Sequence, residues 1–181
     1  QSEVPLGLVA ADDLYIPTPY SVRCVVGNSP DNWRLIKLAG IEGACGMRAF
    51  CAYKHGILVL TPSGRLLYHH SSFPEPVEVG AKLYPRPGAE GLKEVANSTA
   101  VVAVRPDGQV EVRDQTGTYF VMGLDGSWRK GLHTHATHSA LFVSGLPLRW
   151  QGLDGALYEG GEDAYVTDGG TTATNGVPVT A

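Results

Sequence analysis

Gly56-Ile57-Leu58-Val59-Leu60-Thr61-Pro62-Ser63-Gly64-Arg65-Leu66-Leu67-Tyr68 is the stretch that decides the fold class. Two apolar runs of strand length flank Pro-x-Gly, where proline fixes its own φ and glycine accepts a positive one, so the segment reads as a β-hairpin. A close relative of it, Ala100-Val101-Val102-Ala103-Val104-Arg105-Pro106-Asp107-Gly108-Gln109-Val110-Glu111-Val112, recurs about 44 residues later. The turn itself reads as scaffold; the hairpin supports a surface.

Working outward, the flanks repeat as well. Lys37-Leu38 matches Lys82-Leu83, and Gly40-Ile41-Glu42-Gly43 matches Gly88-Ala89-Glu90-Gly91. Met47–Tyr53 and Leu92–Ala96 stand as strands between those loops and the two hairpins. A more worn copy runs through Thr118–Met122, the turn Gly123-Leu124-Asp125-Gly126, Trp128–Lys130, Ala140–Val143 and Leu148–Trp150. The period of about 40 to 45 residues, with about four short strands in each copy, is that of a propeller blade. No segment sustains a 3.6-residue apolar period, since Leu35–Ala52 is interrupted by Gly40, Gly43 and Gly46. The expected fold is therefore all-β, an antiparallel repeat architecture forming a small β-propeller or propeller-like array. A β-sandwich or barrel is the alternative.

The expected domain is a single one over 1–166, with repeats at about 33–75, 76–115 and 116–151 and terminal strands in 1–28 and 152–166 that complete one blade between them. Residues 167–181 are rich in Gly, Thr and Ala and read as a flexible C-terminal arm. His138-Ser139-Ala140-Leu141-Phe142-Val143 and Ala100-Val101-Val102-Ala103-Val104-x-x-Asp107-Gly108-x-Val110 resemble inner strands of propeller repeats of the chromosome-condensation-regulator type and the tectonin type. Where those families carry tryptophan-glycine after the Asp-Gly turn, this chain has Glu111-Val112-Arg113-Asp114, so the resemblance implies a blade-like fold and no particular function.

The chain has 181 residues, enough for a sizeable core, and a hydrophobic content of 43%. Its 23 glycines and 12 prolines, without a Gly-X-Y period, suit a turn-rich β protein. A net charge of −4 gives no electrostatic footprint for nucleic acid. No apolar run reaches the roughly 20 residues of a membrane-spanning helix. The chain begins at Gln1 without methionine, which suggests processing; compartment stays open, with a virion or extracellular setting favoured. Cys24, Cys45 and Cys51 show no zinc spacing. Cys45 and Cys51 would bridge if strand geometry allowed, but buried free thiols are the plainer reading.

Candidate chemistry is sparse. His133 and His135 share a strand face, with His138 nearby, and such a pair suits zinc, iron or copper. No carboxylate is placed beside them, and exposed strand histidines are the simpler account. His69-His70-Ser71-Ser72 holds nucleophile chemistry only in name, because adjacent strand residues face opposite ways. Asp12-Asp13 lacks calcium-loop spacing and reads as a solvated acidic loop. Trp33-Arg34, Trp128-Arg129 and Arg149-Trp150 are the candidate ligand platforms, since tryptophan beside arginine suits a sugar ring or a protein partner. Blade packing is the alternative role for Trp33, Trp128, Arg129 and Trp150.

These features favour a non-catalytic structural or assembly protein that binds other subunits as an oligomer, a bacteriophage tail or capsid-surface component being a natural setting. A carbohydrate-binding module with a surface glycan as ligand is the second expectation. A metal-dependent enzyme using His133 and His135 is the third. No cofactor is expected under the first reading.

Overall fold

The computed structural model describes residues 3–80, 91–105, 107–132, 137–141, 148–152, 157–160 and 177–178, from Leu132 onward by backbone alone. The protein is all-β. Among the described residues, sixteen strands form four antiparallel sheets of four strands each, and helical structure is limited to the 3-10 turns Pro30–Asn32 and Gly91–Val95. Each sheet is a meander of consecutive strands, the simplest product of a chain whose apolar runs are separated by tight turns. Two compact units hold them, residues 1–102 and 103–181.

In the first unit, one sheet contains β1 (Val9–Ala10), β2 (Leu14–Pro17), β3 (Val22–Val26) and β4 (Arg34–Lys37), in that order. Tyr15 opposes Cys24 and Pro17 opposes Val22, so the four buried side chains share one face. The second sheet contains β5 (Phe50–Tyr53), β6 (Gly56–Leu60), β7 (Leu66–His69) and β8 (Val77–Glu78). Every residue of β6 is buried, as its uninterrupted apolar sequence requires. The two sheets meet through Tyr15 and His69, and the chain between them is tied in by Ala44 N–H to Thr18 carbonyl and Cys45 N–H to Leu60 carbonyl.

The third sheet contains β9 (Val101–Val104), β10 (Val110–Arg113), β11 (Thr118–Met122) and β12 (Trp128–Leu132). Its turns share one device: the carboxylates of Asp107, Asp114 and Asp125 each accept the backbone N–H two residues on, from Gln109, Thr116 and Ser127. The fourth sheet contains β13 (Thr137–Leu141), β14 (Leu148–Gly152), β15 (Leu157–Gly160) and β16 (Val177–Pro178).

The sheets group the strands in a different phase from the sequence repeat. Gly56–Leu60 and Leu66–His69 are the second and third strands of their sheet, whereas Val101–Val104 and Val110–Arg113 are the first and second of theirs. The first hairpin is preceded by the strand β5, whereas the residues before the second form the 3-10 turn Gly91–Val95. Arg34–Lys37, read as the head of a repeat, closes the first sheet. Leu92–Ala96, read as a strand, is largely the 3-10 turn Gly91–Val95. The terminal segments 1–28 and 152–166 enter separate sheets: β1 pairs with β2, while β15 pairs with β14 and β16. Within the arm 167–181, Val177 and Pro178 form β16 against Glu159 and Tyr158; its other residues, like Lys82-Leu83 and the Gly88–Glu90 part of its loop, lie outside the described residues.

Candidate functional site

The exposed feature that the sheets create is the edge strand β4. It is last in its sheet, and all four of its residues are exposed, including Leu35 at 51% and Ile36 at 42%. Trp33, which opens it, is 59% exposed. An edge strand offers unpaired backbone groups, and charged side chains are the usual device that protects it. Here Arg34 and Lys37 flank the apolar pair.

Beyond Lys37 the surface falls into an open cleft of about 760 Å3. Lys37, Tyr20, Glu42, Ser63 and Arg65 line it together with the backbone around Gly40. Tyr20, 67% exposed, stands at the tip of the β2–β3 turn. That turn is braced by Thr18 Oγ1, which accepts the N–H groups of Tyr20 and Ser21, and by Ser21 Oγ, which donates to Glu3 at 2.6 Å. The hydrogen bond from Ser21, ahead of the Arg23 charge, holds the Glu3 carboxyl below its usual range despite some desolvation. The opposite wall is the Thr61–Arg65 turn, the same turn that reads from sequence as scaffold. Thr61 N–H bonds the Arg65 carbonyl, and Gly64, at φ +84, lies against the Lys93 backbone where a Cβ would not fit. Arg65 Nε donates to Glu78 at 3.0 Å, and Ser63 Oγ donates to Glu42.

A second cluster gathers around Asp12. Its carboxylate lies 3.2 Å from His55 Nδ1 and 3.5 Å from His70 Nε2, while His70 Nδ1 accepts the Ser72 N–H. With Nδ1 an acceptor, a neutral His70 carries its proton on Nε2, facing Asp12. The cluster can hold or pass a proton. Among the described residues no hydroxyl or thiol is hydrogen-bonded to either imidazole, so no activated nucleophile accompanies it. Nor are any three described His, Cys, Asp or Glu residues disposed to hold a metal.

The sequence candidates belong to different sheets. Trp33 lies on the first sheet and Trp128 on the third. Trp128 is half-buried, and its indole N–H is buried without a hydrogen bond among the described residues. Arg129, its strand neighbour, points to the other face and donates to Gln109 at 3.1 Å, so the two do not make one platform. Trp150 pairs through its backbone with Ala140 and Tyr158 in β14. His138 belongs to the β13 backbone, and His133 and His135 lie outside the described residues. The three cysteines are free thiols, with Cys24 buried. Sequence reasoning missed Tyr20, Lys37, Ser63 and Arg65, which come from three separate turns and strand ends and carry no shared motif.

No family model matches the chain, and no curated protein matches it. Among solved structures, it is similar to PorZ, described as an essential bacterial surface component of the type-IX secretion system of Porphyromonas gingivalis. The identity is 8% and the TM-score 0.48; the match covers 91% of this chain and spans 28% of the PorZ chain.

Proposed function

We propose that this chain is a non-catalytic, small β-propeller-like binding module that docks an extended segment of a partner protein along β4. The propeller-like reading is supported by four successive four-stranded meanders, the strand grammar of blades. The observation that carries the docking reading is the wholly exposed edge strand with Leu35 and Ile36 on it and the exposed Trp33 just before it. A peptide that adds a strand to such an edge gains main-chain hydrogen bonds, and its side chains supply specificity.

Charge selects the partner. Arg34 and Lys37 make no ion pair among the described residues, so an acid-flanked apolar segment complements them. A second copy of this edge is disfavoured: antiparallel self-pairing centred on Leu35 and Ile36 would set Arg34 opposite Lys37, and like charges directly opposite destabilise a sheet.

Selection of a displayed random-peptide library against the full chain tests this. Enriched sequences should be apolar with flanking acids, and a Leu35→Ser/Ile36→Ser variant with unchanged circular dichroism should lose them. Enrichment indifferent to that variant overturns the reading. Trp33 and Tyr20 also offer ring faces to a sugar; a glycan array with binding lost in Tyr20→Ala would favour the carbohydrate reading instead.

A further inference from the structure

The geometry points to the cleft beyond β4 as an anchor pocket for a carboxylate on the docked strand, a step that rests on the edge-docking reading above. Lys37 belongs to both features: it is the last residue of β4 and part of the cleft lining. A strand laid along β4 advances about 3.3 Å per residue, so the residue or two past the one opposite Lys37 lie over the cleft.

The lining defines what that residue should carry. Lys37 and Arg65 stand with Glu42 in the lining and Glu78 on Arg65 Nε, so an acid is recognised here by hydrogen-bond geometry and not by an excess of positive charge. Glu42 accepts from Ser63 Oγ, itself 2.9 Å from Thr61 Oγ1, which holds that carboxylate oxygen toward the turn. Arg65 spends Nε on Glu78, which fixes the plane of the guanidinium; its terminal nitrogens make no hydrogen bond among the described residues. A planar fork held at one edge and open at the other suits a carboxylate. Tyr20, projecting from the braced turn opposite, limits the cleft to a short acidic side chain or a chain-terminal carboxylate.

Strand polarity makes the inference directional. An antiparallel partner meets Lys37 with its N-terminal end, so its anchoring acid precedes the apolar pair; a parallel partner carries it after the pair.

The test is a 15N-HSQC titration of the full chain, to millimolar ligand, with N-acetylated, C-amidated Asp-Ser-Glu-Val-Val-Glu, its reversed sequence Glu-Val-Val-Glu-Ser-Asp, and the Asn-for-Asp form of each, so that the Asp side chain is the one carboxylate able to reach the cleft. One orientation should shift amides of β4 together with those of Gly40, Ser63 and Arg65, and bind about three- to tenfold tighter than its Asn form, less so at high salt. Arg65→Gln should abolish that difference while leaving the β4 shifts. If the Asp and Asn forms bind alike, the anchor pocket is wrong and edge docking stands. If no peptide shifts β4, the edge-docking reading fails and takes the anchor with it. If an oligosaccharide of glucuronic acid binds the cleft with loss in Arg65→Gln while the peptides shift β4 alone, the carboxylate belongs to a glycan and the peptide anchor is overturned.

Discussion

Tyr15 on β2 and His69 on β7 meet edge to face across the two sheets of the first unit, their ring centroids 5.9 Å apart at an interplanar angle of 78°. Both are buried, and His69 Nδ1 and the Tyr15 hydroxyl have no hydrogen-bond partner among the described residues. The contact welds the sheets with aromatic surface, and it leaves a titratable ring inside the seam.

That ring makes stability depend on pH. Burial holds the His69 pKa below the ordinary 6.5, with Asp13 opposing and His70 assisting the shift. The unfolded chain therefore binds this proton first as pH falls. The contribution of neutral His69 is whole above about pH 6.5 and declines below it, until the folded pKa is reached. The thermal midpoint of the natural protein should fall more between about pH 7 and about pH 5 than that of His69→Phe. Parallel curves would remove His69 as the source.

Glu111 and Arg113 form an ion pair at 3.5 Å on one face of β10, and each is only 1% exposed. Removing one member leaves the other charge buried, which costs on the order of 3–5 kcal/mol, whereas an apolar pair of similar volume is far better tolerated. Arg113→Met should therefore lower the urea midpoint strongly, and Glu111→Leu/Arg113→Met should recover much of the loss. A double variant no better than the single would show that Glu111 is held chiefly by other groups.

Three glycines with positive φ should rank by what a Cβ would meet. At Gly43, φ +107, it would lie 2.5 Å from the Pro19 carbonyl; at Gly64, φ +84, 2.7 Å from the Lys93 backbone; at Gly108, φ +82, 3.2 Å from the movable Leu124 Cδ2. Left-handed backbone alone costs about 1–2 kcal/mol for alanine. Gly43→Ala and Gly64→Ala should exceed that value in denaturant titrations and Gly108→Ala should stay within it. Equal losses at all three would mean that the backbone contacts yield freely.

Strand content was legible because it depends on local rules. Apolar runs between Pro-x-Gly and Asp-Gly turns give β structure wherever they occur, and Asp107 caps its turn as that pattern implies. Strand phase was not legible, since every such hairpin looks alike and Leu92–Ala96, as apolar as a short strand, is largely a 3-10 turn before the second one. The cleft was hidden for another reason: Tyr20, Lys37 and Arg65 are each ordinary in their own segment and acquire meaning only when three elements converge. Tryptophan beside arginine in sequence does not by itself make a joint surface, because neighbours in a strand face apart: Trp128 is half-buried while Arg129 turns to Gln109.

The cysteines give the last prediction. Burial pushes the Cys24 and Cys45 thiols up to about 11, Asp13 adding to the shift at Cys24, and it pushes Cys51 up to about 12. The thiolate is the reactive form, so little of it exists near neutral pH. Cys45 N–H bonds the Leu60 carbonyl while Cys51 pairs with Leu58, which sets the two thiols at different points along β6. Native protein near pH 8 should react slowly with an aromatic disulfide reagent, and the rate should climb steeply as pH rises toward 10. In denaturant without reductant, all 3 thiols should titrate at once. A count of one would mean that Cys45 and Cys51 are bridged, and fast native labelling would mean that the strands around β6 open more readily than their burial implies.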